Sequence, residues 1–231
     1  MVQCLLILLL GLGLPMFLAF SGLASWSWIG LGAAAWIVAV VLKIFPGGLL
    51  WVLLERLMKG QRMKAALWGV WSALTELGVA AIAFAGASAF PGLGDAVGFG
   101  VGAGSLEALN ILRQALGYLV AAQVRSPSKL DGKFLDWIVV VERYLTSGGH
   151  LATRGLVWAG LQSLLLVPGM VLAVATFSLV DGIASYGHAV KWNWADPSIR
   201  RRWLGFLSVV TIVEAAAFIA CVFLLRAGHA G

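Results

Sequence analysis

Residues 27–45, SWIGLGAAAWIVAVVLKIF, form a long apolar run that contains a single charged side chain, Lys43. A membrane-spanning helix needs about 20 consecutive apolar residues, whereas a strand of a membrane barrel takes about ten that alternate apolar and polar. This run does not alternate. Because a chain in lipid must satisfy its backbone N–H and C=O groups internally, the run is predicted to be a transmembrane α-helix.

Similar runs recur along the whole chain of 231 residues, of which 61% are hydrophobic and 11% are charged. A soluble domain carries about a quarter charged residues, so this composition favours lipid as the solvent. The sequence therefore predicts an all-α polytopic transmembrane bundle of about seven helices, in a single domain over residues 1–231. The predicted spans lie near residues 2–21, 27–45, 65–90, 96–121, 135–162, 165–189 and 204–226.

Prolines and glycines are predicted to interrupt or bend these runs at three places. The segment Pro46-Gly47-Gly48 predicts a break after the second span, Pro91-Gly92 predicts a tight turn, and Pro168 predicts a kink within the sixth span. The first run resembles the core of a signal peptide. No positive residue precedes it, so it is predicted to remain as the first span.

Lysine and arginine are distributed unevenly over the predicted loops. The side that follows spans two, four and six carries Lys43, Arg56, Lys59, Arg62, Lys64, Arg125, Lys129, Lys133, Lys191, Arg200, Arg201 and Arg202, and the opposite side carries Arg226. By the positive-inside rule, the N-terminus is predicted to be cytoplasmic and the C-terminus outside. Contact with anionic membrane lipids is sufficient to explain the net charge of +6. A nucleic-acid partner is not predicted.

Cys4 and Cys221 both lie within apolar runs, where a cysteine behaves as a small hydrophobic residue. The chain has no CxxC or HExxH pattern and no phosphate-binding glycine-rich loop. No metal and no cofactor are predicted from these patterns.

Ionisable residues inside the predicted spans are the informative ones, because such side chains are costly in lipid and mark either function or internal pairing. They are Glu76, Glu107, Glu142, Arg143, His150, Arg154, Asp181, His188 and Glu214. Arg143, His150 and Arg154 are separated by seven and four residues and so share one helical face. We expect a buried polar network that includes Glu142, Arg143, Arg154 and His188, in which Arg143 pairs with Glu107 or Asp181. An intramembrane catalytic site, a purely structural ion-pair network and a transport site all remain open on spacing alone.

The glycine-rich run at residues 95–108, DAVGFGVGAGSLEA, predicts close packing of the fourth span against a neighbour. It also resembles a signature of the YhfC family of intramembrane peptidases, D-A-x-x-F-G-x-G-H-G-G-x-E-A, which is related to the PrsW-type and CAAX-type glutamic proteases. Three more segments agree in order, so that the resemblance covers about residues 50–190. They are Thr75-Glu76, Glu142-Arg143 with His150 downstream, and Phe177-Ser-Leu-Val-Asp181.

The resemblance implies a multi-pass protein of the bacterial cytoplasmic membrane, with Glu76, Glu107, His150 and Asp181 as candidate catalytic residues. Three family positions have lost their functional groups. Thr75 stands where the family has the first glutamate of a pair, and Ala103 and Phe177 stand where it has histidines. Threonine is no base near neutral pH, and neither alanine nor phenylalanine can transfer a proton.

Three functions follow as hypotheses. The favoured one is a catalytically degenerate relative that binds a membrane-protein partner or a transmembrane peptide, or serves as a subunit of a membrane complex. The second is an active glutamic-type intramembrane peptidase that uses Glu76, Glu107 and His150. The third is a small transporter or a transporter subunit, suggested by acids and arginines at membrane depth.

Overall fold

The computed structural model describes residues 2–87, 91–125, 137–194 and 196–228, and for residues 118–125 it describes the backbone alone. The described residues form seven helices and confirm the predicted all-α fold. These are α1 (Val2–Phe20), α2 (Trp26–Leu57), α3 (Gln61–Ala85), α4 (Leu93–Arg125), α5 (Trp137–Gln162), α6 (Val167–Ala189) and α7 (Pro197–Gly228).

Five of these helices, α1, α2, α3, α6 and α7, are long and apolar enough to cross a membrane. Their large hydrophobic side chains face outward, as at Phe45, Leu49 and Ile82, which are 73–75% exposed. Exposed apolar surface on this scale is what lipid covers in a membrane protein.

The two remaining helices, α4 and α5, carry more of the polar side chains. Helix α5 lies at the centre and packs against α3, α4, α6 and α7. Residues 152–160 on this helix are all buried. Arg154, which lies in this stretch, is therefore shielded from lipid by neighbouring helices.

Helix α4 packs closely against α2 at two glycines. A Cβ atom added to Gly102 would overlap the Ile29 carbonyl, and one added to Gly32 would overlap the Phe99 carbonyl. The predicted close packing of the glycine-rich run is confirmed, since only glycine leaves room for the backbone of the facing helix.

Helix α1 packs on α4 and α5 and contains a π-helical stretch at Leu9–Gly13. In this stretch, a carbonyl pairs with the N–H five residues later, as the Leu14 N–H does with Leu9. Pro15 has no N–H for the Leu10 carbonyl, which instead accepts a hydrogen bond from the Ser105 hydroxyl at 3.2 Å. The Ser105 hydroxyl of α4 thus satisfies the α1 carbonyl that Pro15 leaves without a backbone partner.

Two predictions about prolines were wrong. The segment Pro46-Gly47-Gly48 does not interrupt the helix, because α2 continues through Pro46 to Leu57. In lipid, one missing hydrogen bond costs less than a broken helix with several unpaired groups. Pro168 does not lie in a helix interior. It lies in the first turn of α6, where the missing N–H needs no partner.

The connections are described in part. Residues 91–92 are non-helical and join α4, and the Pro91 carbonyl accepts hydrogen bonds from Trp158 Nε1 at 2.7 Å and Gln162 Nε2 at 3.2 Å. Lys129 and Lys133, which contributed to the predicted orientation, lie outside the described residues. The orientation of the termini stays a prediction.

Candidate functional site

A cavity of about 290 Å³ lies within the bundle and is lined by side chains from α2, α3, α4, α5, α6 and α7. Its polar wall is formed by Lys43, Glu76, Glu107, Asn110, His150, Asp181 and Glu214. The predicted site residues Glu76, Glu107, His150 and Asp181 therefore meet at one place, although they come from four different helices.

Glu76 on α3 lies at the centre of the charge network and is 4% exposed. Its Oε1 atom is paired with the Lys43 ammonium, and its Oε2 atom accepts a hydrogen bond from Arg154 Nη2 at 2.6 Å. The Arg154 side chain is itself only 2% exposed. Both oxygens of this carboxylate are therefore occupied by cations supplied from α2 and α5.

Glu107 on α4 is held in the same manner. Its Oε1 atom accepts a hydrogen bond from Arg143 Nη1 at 2.6 Å, and its Oε2 atom is hydrogen-bonded to His150 Nε2. The other ring nitrogen of His150, Nδ1, lies 3.7 Å from Glu76 Oε2. The imidazole thus lies between the two glutamates and links the two halves of the network.

Asp181 on α6 completes the network at its far end. Its Oδ2 atom is 3.2 Å from Lys43 Nζ and also accepts a hydrogen bond from the Ser72 hydroxyl. Lys43 therefore bridges Glu76 and Asp181, and its side chain is 17% exposed. Sequence reasoning counted Lys43 among the cations at the cytoplasmic end of the second predicted span, whereas the structure places it inside the bundle, because α2 continues past Pro46.

We expect Lys43→Met to destabilise the protein by about 1–2 kcal/mol, because it leaves Asp181 with a neutral hydroxyl as its partner. The loss is moderated because Glu76 keeps Arg154. Unfolding free energies from denaturant titration in detergent micelles measure the effect. Lys59→Met is the matched control, since Lys59 is exposed. Equal stability of the two variants would show that the bridge contributes nothing.

The predicted pairing of Arg143 with a buried carboxylate is confirmed, and Glu107 is that carboxylate. Arg143 Nη2 also lies 3.1 Å from Glu142 Oε1, which in turn accepts a hydrogen bond from Trp203 Nε1 at 3.2 Å. Asp181, the other candidate for Arg143, pairs with Lys43 instead.

The prediction that His188 joins the buried network was wrong. His188 is exposed in the last turn of α6, and its ring lies 5.5 Å from that of Trp194. It shares a helical face with Asp181, but seven residues along a helix separate the two by about 10 Å. A shared face therefore did not bring His188 to the same depth.

The three residues that depart from the motifs noted in the sequence, Thr75, Ala103 and Phe177, have ordinary packing roles. The Thr75 hydroxyl donates to backbone carbonyls of its own helix, at 2.9 Å to Ser72, and Ala103 is fully buried. The Phe177 ring lines the cavity, with Lys43 Nζ 5.5 Å and the Arg154 guanidinium 6.0 Å from its centroid. A ring in this position attracts the two cations through its π face.

Chemically, the site is a network of ion pairs beside a small cavity that Glu214 also lines. A glutamate that activates water needs a carboxylate oxygen available to the water. In Glu76 and Glu107, each oxygen is already paired with a lysine, an arginine or a histidine, and these partners compete with water for the carboxylate. Over the described ranges, no group of three histidine, cysteine or acidic side chains is arranged to hold a metal ion.

Comparison with known proteins gives no match: no family model, no curated protein and no solved structure is similar to this chain.

Proposed function

We propose that this protein is a non-hydrolytic membrane protein, a catalytically degenerate relative of YhfC-type intramembrane peptidases, that acts by binding a ligand or membrane partner at its intramembrane cavity. One observation carries the proposal. All four oxygens of Glu76 and Glu107, the two candidate bases, are paired with cationic or imidazole groups of the same chain.

The substituted family positions support the loss of hydrolysis. Thr75, Ala103 and Phe177 bring no acid, base or oxyanion donor to the cavity, and the Thr75 hydroxyl donates within its own helix. Peptide hydrolysis needs both an activated water and donors for the developing oxyanion.

The shape and lining of the cavity support binding. Its polar wall faces apolar side chains of α2, α6 and α7, among them Trp36, Phe177, Leu207 and Val210. Ligand sites typically combine mostly apolar walls with a few fixed polar groups, in volumes of about 300–1,000 Å³. At about 290 Å³, this cavity accommodates a small molecule or one side chain of a partner helix.

Val210→Phe tests binding, because Val210 lines the cavity and a larger side chain there fills it. Val209→Phe makes the same change one residue away, on a side chain that is 62% exposed to the lipid side. We expect the wild-type protein and Val209→Phe to retain a bound species that Val210→Phe loses. Native mass spectrometry of protein released from lipid nanodiscs measures the bound mass.

Melting temperatures of the two variants show whether both are folded. Identical spectra for all three proteins would contradict binding at this cavity. Appearance of cleaved membrane substrate that depends on Glu76 would contradict the loss of hydrolysis.

A further inference from the structure

Among the described residues that line the cavity, Glu214 on α7 is the one carboxylate that forms no ion pair in the network. It is 3% exposed and lines the same cavity as Glu76 and Glu107. A Cβ atom added to Gly149 on α5 would lie 3.3 Å from Glu214 Oε2. The glycine thus leaves the space beside this carboxylate open.

None of the ion pairs formed by the described residues includes Glu214. The cations of the cavity region are already paired: Lys43 with Glu76 and Asp181, and Arg154 with Glu76. A buried carboxylate at membrane depth is costly without an ion-pair partner, so Glu214 is a candidate binding group.

Glu214 interacts with the hydroxyl of Thr176 on α6 and, through charge alone, with Arg154, whose guanidinium donates a hydrogen bond to Glu76. This hydroxyl has a single proton, and the Leu172 carbonyl, 2.9 Å from its Oγ1 atom, competes for it. Thr176 therefore does not replace a counter-ion, which would supply a full positive charge.

The cavity that Glu214 lines also has apolar side chains, which suit the apolar part of a ligand. Leu207 and Val210 come from its own helix, and the aromatic rings of Trp36 and Phe177 come from α2 and α6. Aromatic rings attract organic cations, and aliphatic side chains pack against their hydrocarbon part.

We propose that the cavity binds a small hydrophobic organic cation, such as a primary amine, whose ammonium group pairs with Glu214 while its apolar part packs against Trp36, Phe177 and Leu207. This inference rests on the proposed binding function and names the ligand class. A lysine side chain from a partner helix would present the same ammonium group. The position of this volume of about 290 Å³ among side chains of six helices favours the small molecule.

Phenethylammonium and phenethyl alcohol, which differ chiefly in charge, are matched probes. Isothermal titration of the protein in nanodiscs, with empty nanodiscs as the blank, measures both dissociation constants. We expect the wild-type protein to bind the ammonium about tenfold more tightly than the alcohol, equivalent to about 1.4 kcal/mol. Glu214→Gln is expected to reduce this ratio to about one, since the amide carries no charge.

Glu55→Gln is the control and is expected to retain the tenfold ratio, because Glu55 is half-exposed and pairs with Lys64 outside the cavity. Glu214→Gln is expected to melt no lower than the wild-type protein, because it removes a buried charge and preserves the side-chain shape. This stability readout shows that a lost preference is not caused by unfolding.

Equal binding of the two probes by the wild-type protein, or an unchanged ratio in Glu214→Gln, would overturn the ligand class and leave binding at the cavity intact. Binding of neither probe would also overturn the inference. The proposed binding function is tested separately, by whether Val210→Phe loses the bound species that native mass spectrometry detects in the wild-type protein.

Discussion

Glu76→Gln is expected to destabilise the protein by about 3–5 kcal/mol, the range found when one partner of a buried ion pair is removed in soluble proteins. The substitution leaves Arg154, whose side chain is 2% exposed, without its carboxylate partner. Lys43 loses one of its two partners but keeps Asp181. The free energy of unfolding in detergent micelles, from a denaturant titration, measures the loss.

A double-mutant cycle separates the ion pair from general damage to the fold. Arg154→Met combined with Glu76→Gln removes both charges, and we expect the double variant to be more stable than the sum of the two single losses indicates. Lys59→Met, at an exposed position, is the surface control, with a change of no more than about 0.5 kcal/mol. Additive losses would show that Glu76 and Arg154 do not stabilise one another.

Gly102→Ala is expected to destabilise the protein by about 3 kcal/mol, at the upper end of the range for overpacking. The new Cβ atom would overlap the Ile29 carbonyl of α2, which is backbone and cannot rotate away as a flexible side chain does. Helices α2 and α4 must then separate along their whole contact.

Gly30→Ala is the matched control, because a Cβ atom at Gly30 would meet nothing within 4 Å. Alanine is also the better helix former, so this variant is expected to be at least as stable as the wild-type protein. If Gly102→Ala unfolds at the same denaturant concentration as Gly30→Ala, the close crossing of α2 and α4 is not a source of stability.

The helical fold was predictable because the apolar runs are long and the bilayer permits few alternatives for a hydrogen-bonded backbone. Helix ends were harder to predict. Pro46 was interpreted as a break, although the apolar run resumes at Leu49 and continues to Leu54. In α2, the requirement for a hydrogen-bonded backbone in lipid outweighs the tendency of proline to end a helix.

The misplaced helix end also concealed a residue of the site. If α2 is taken to end near Phe45, Lys43 lies in the last turn of the span and is interpreted as a cation that contacts lipid headgroups. An uninterrupted span to Leu54 would have placed this single lysine deep in the bundle, where it needs a carboxylate. The acids themselves were found from sequence because each is a rare charge within an apolar run.

The pairing within the site was only partly predictable. Spacing on α5 placed Arg143, His150 and Arg154 on one face, and all three point into the network. Which acid each one meets depends on the depth and rotation of α3, α4 and α6, which helical periodicity does not specify. His188 shows the limit, since a shared face with Asp181 did not give a shared depth.

The most direct test of the central claim, that Glu76 and Glu107 are committed to internal ion pairs and do not activate water, is a cleavage assay. The protein is reconstituted in liposomes with a panel of single-span reporter peptides, and fragments are quantified by mass spectrometry. Wild-type protein, Glu76→Gln, Glu107→Gln and the control Glu55→Gln are compared. The expected result is intact peptides with all four proteins. Fragments produced by the wild-type protein and Glu55→Gln, but absent with Glu76→Gln, would contradict the claim and identify Glu76 as a catalytic base.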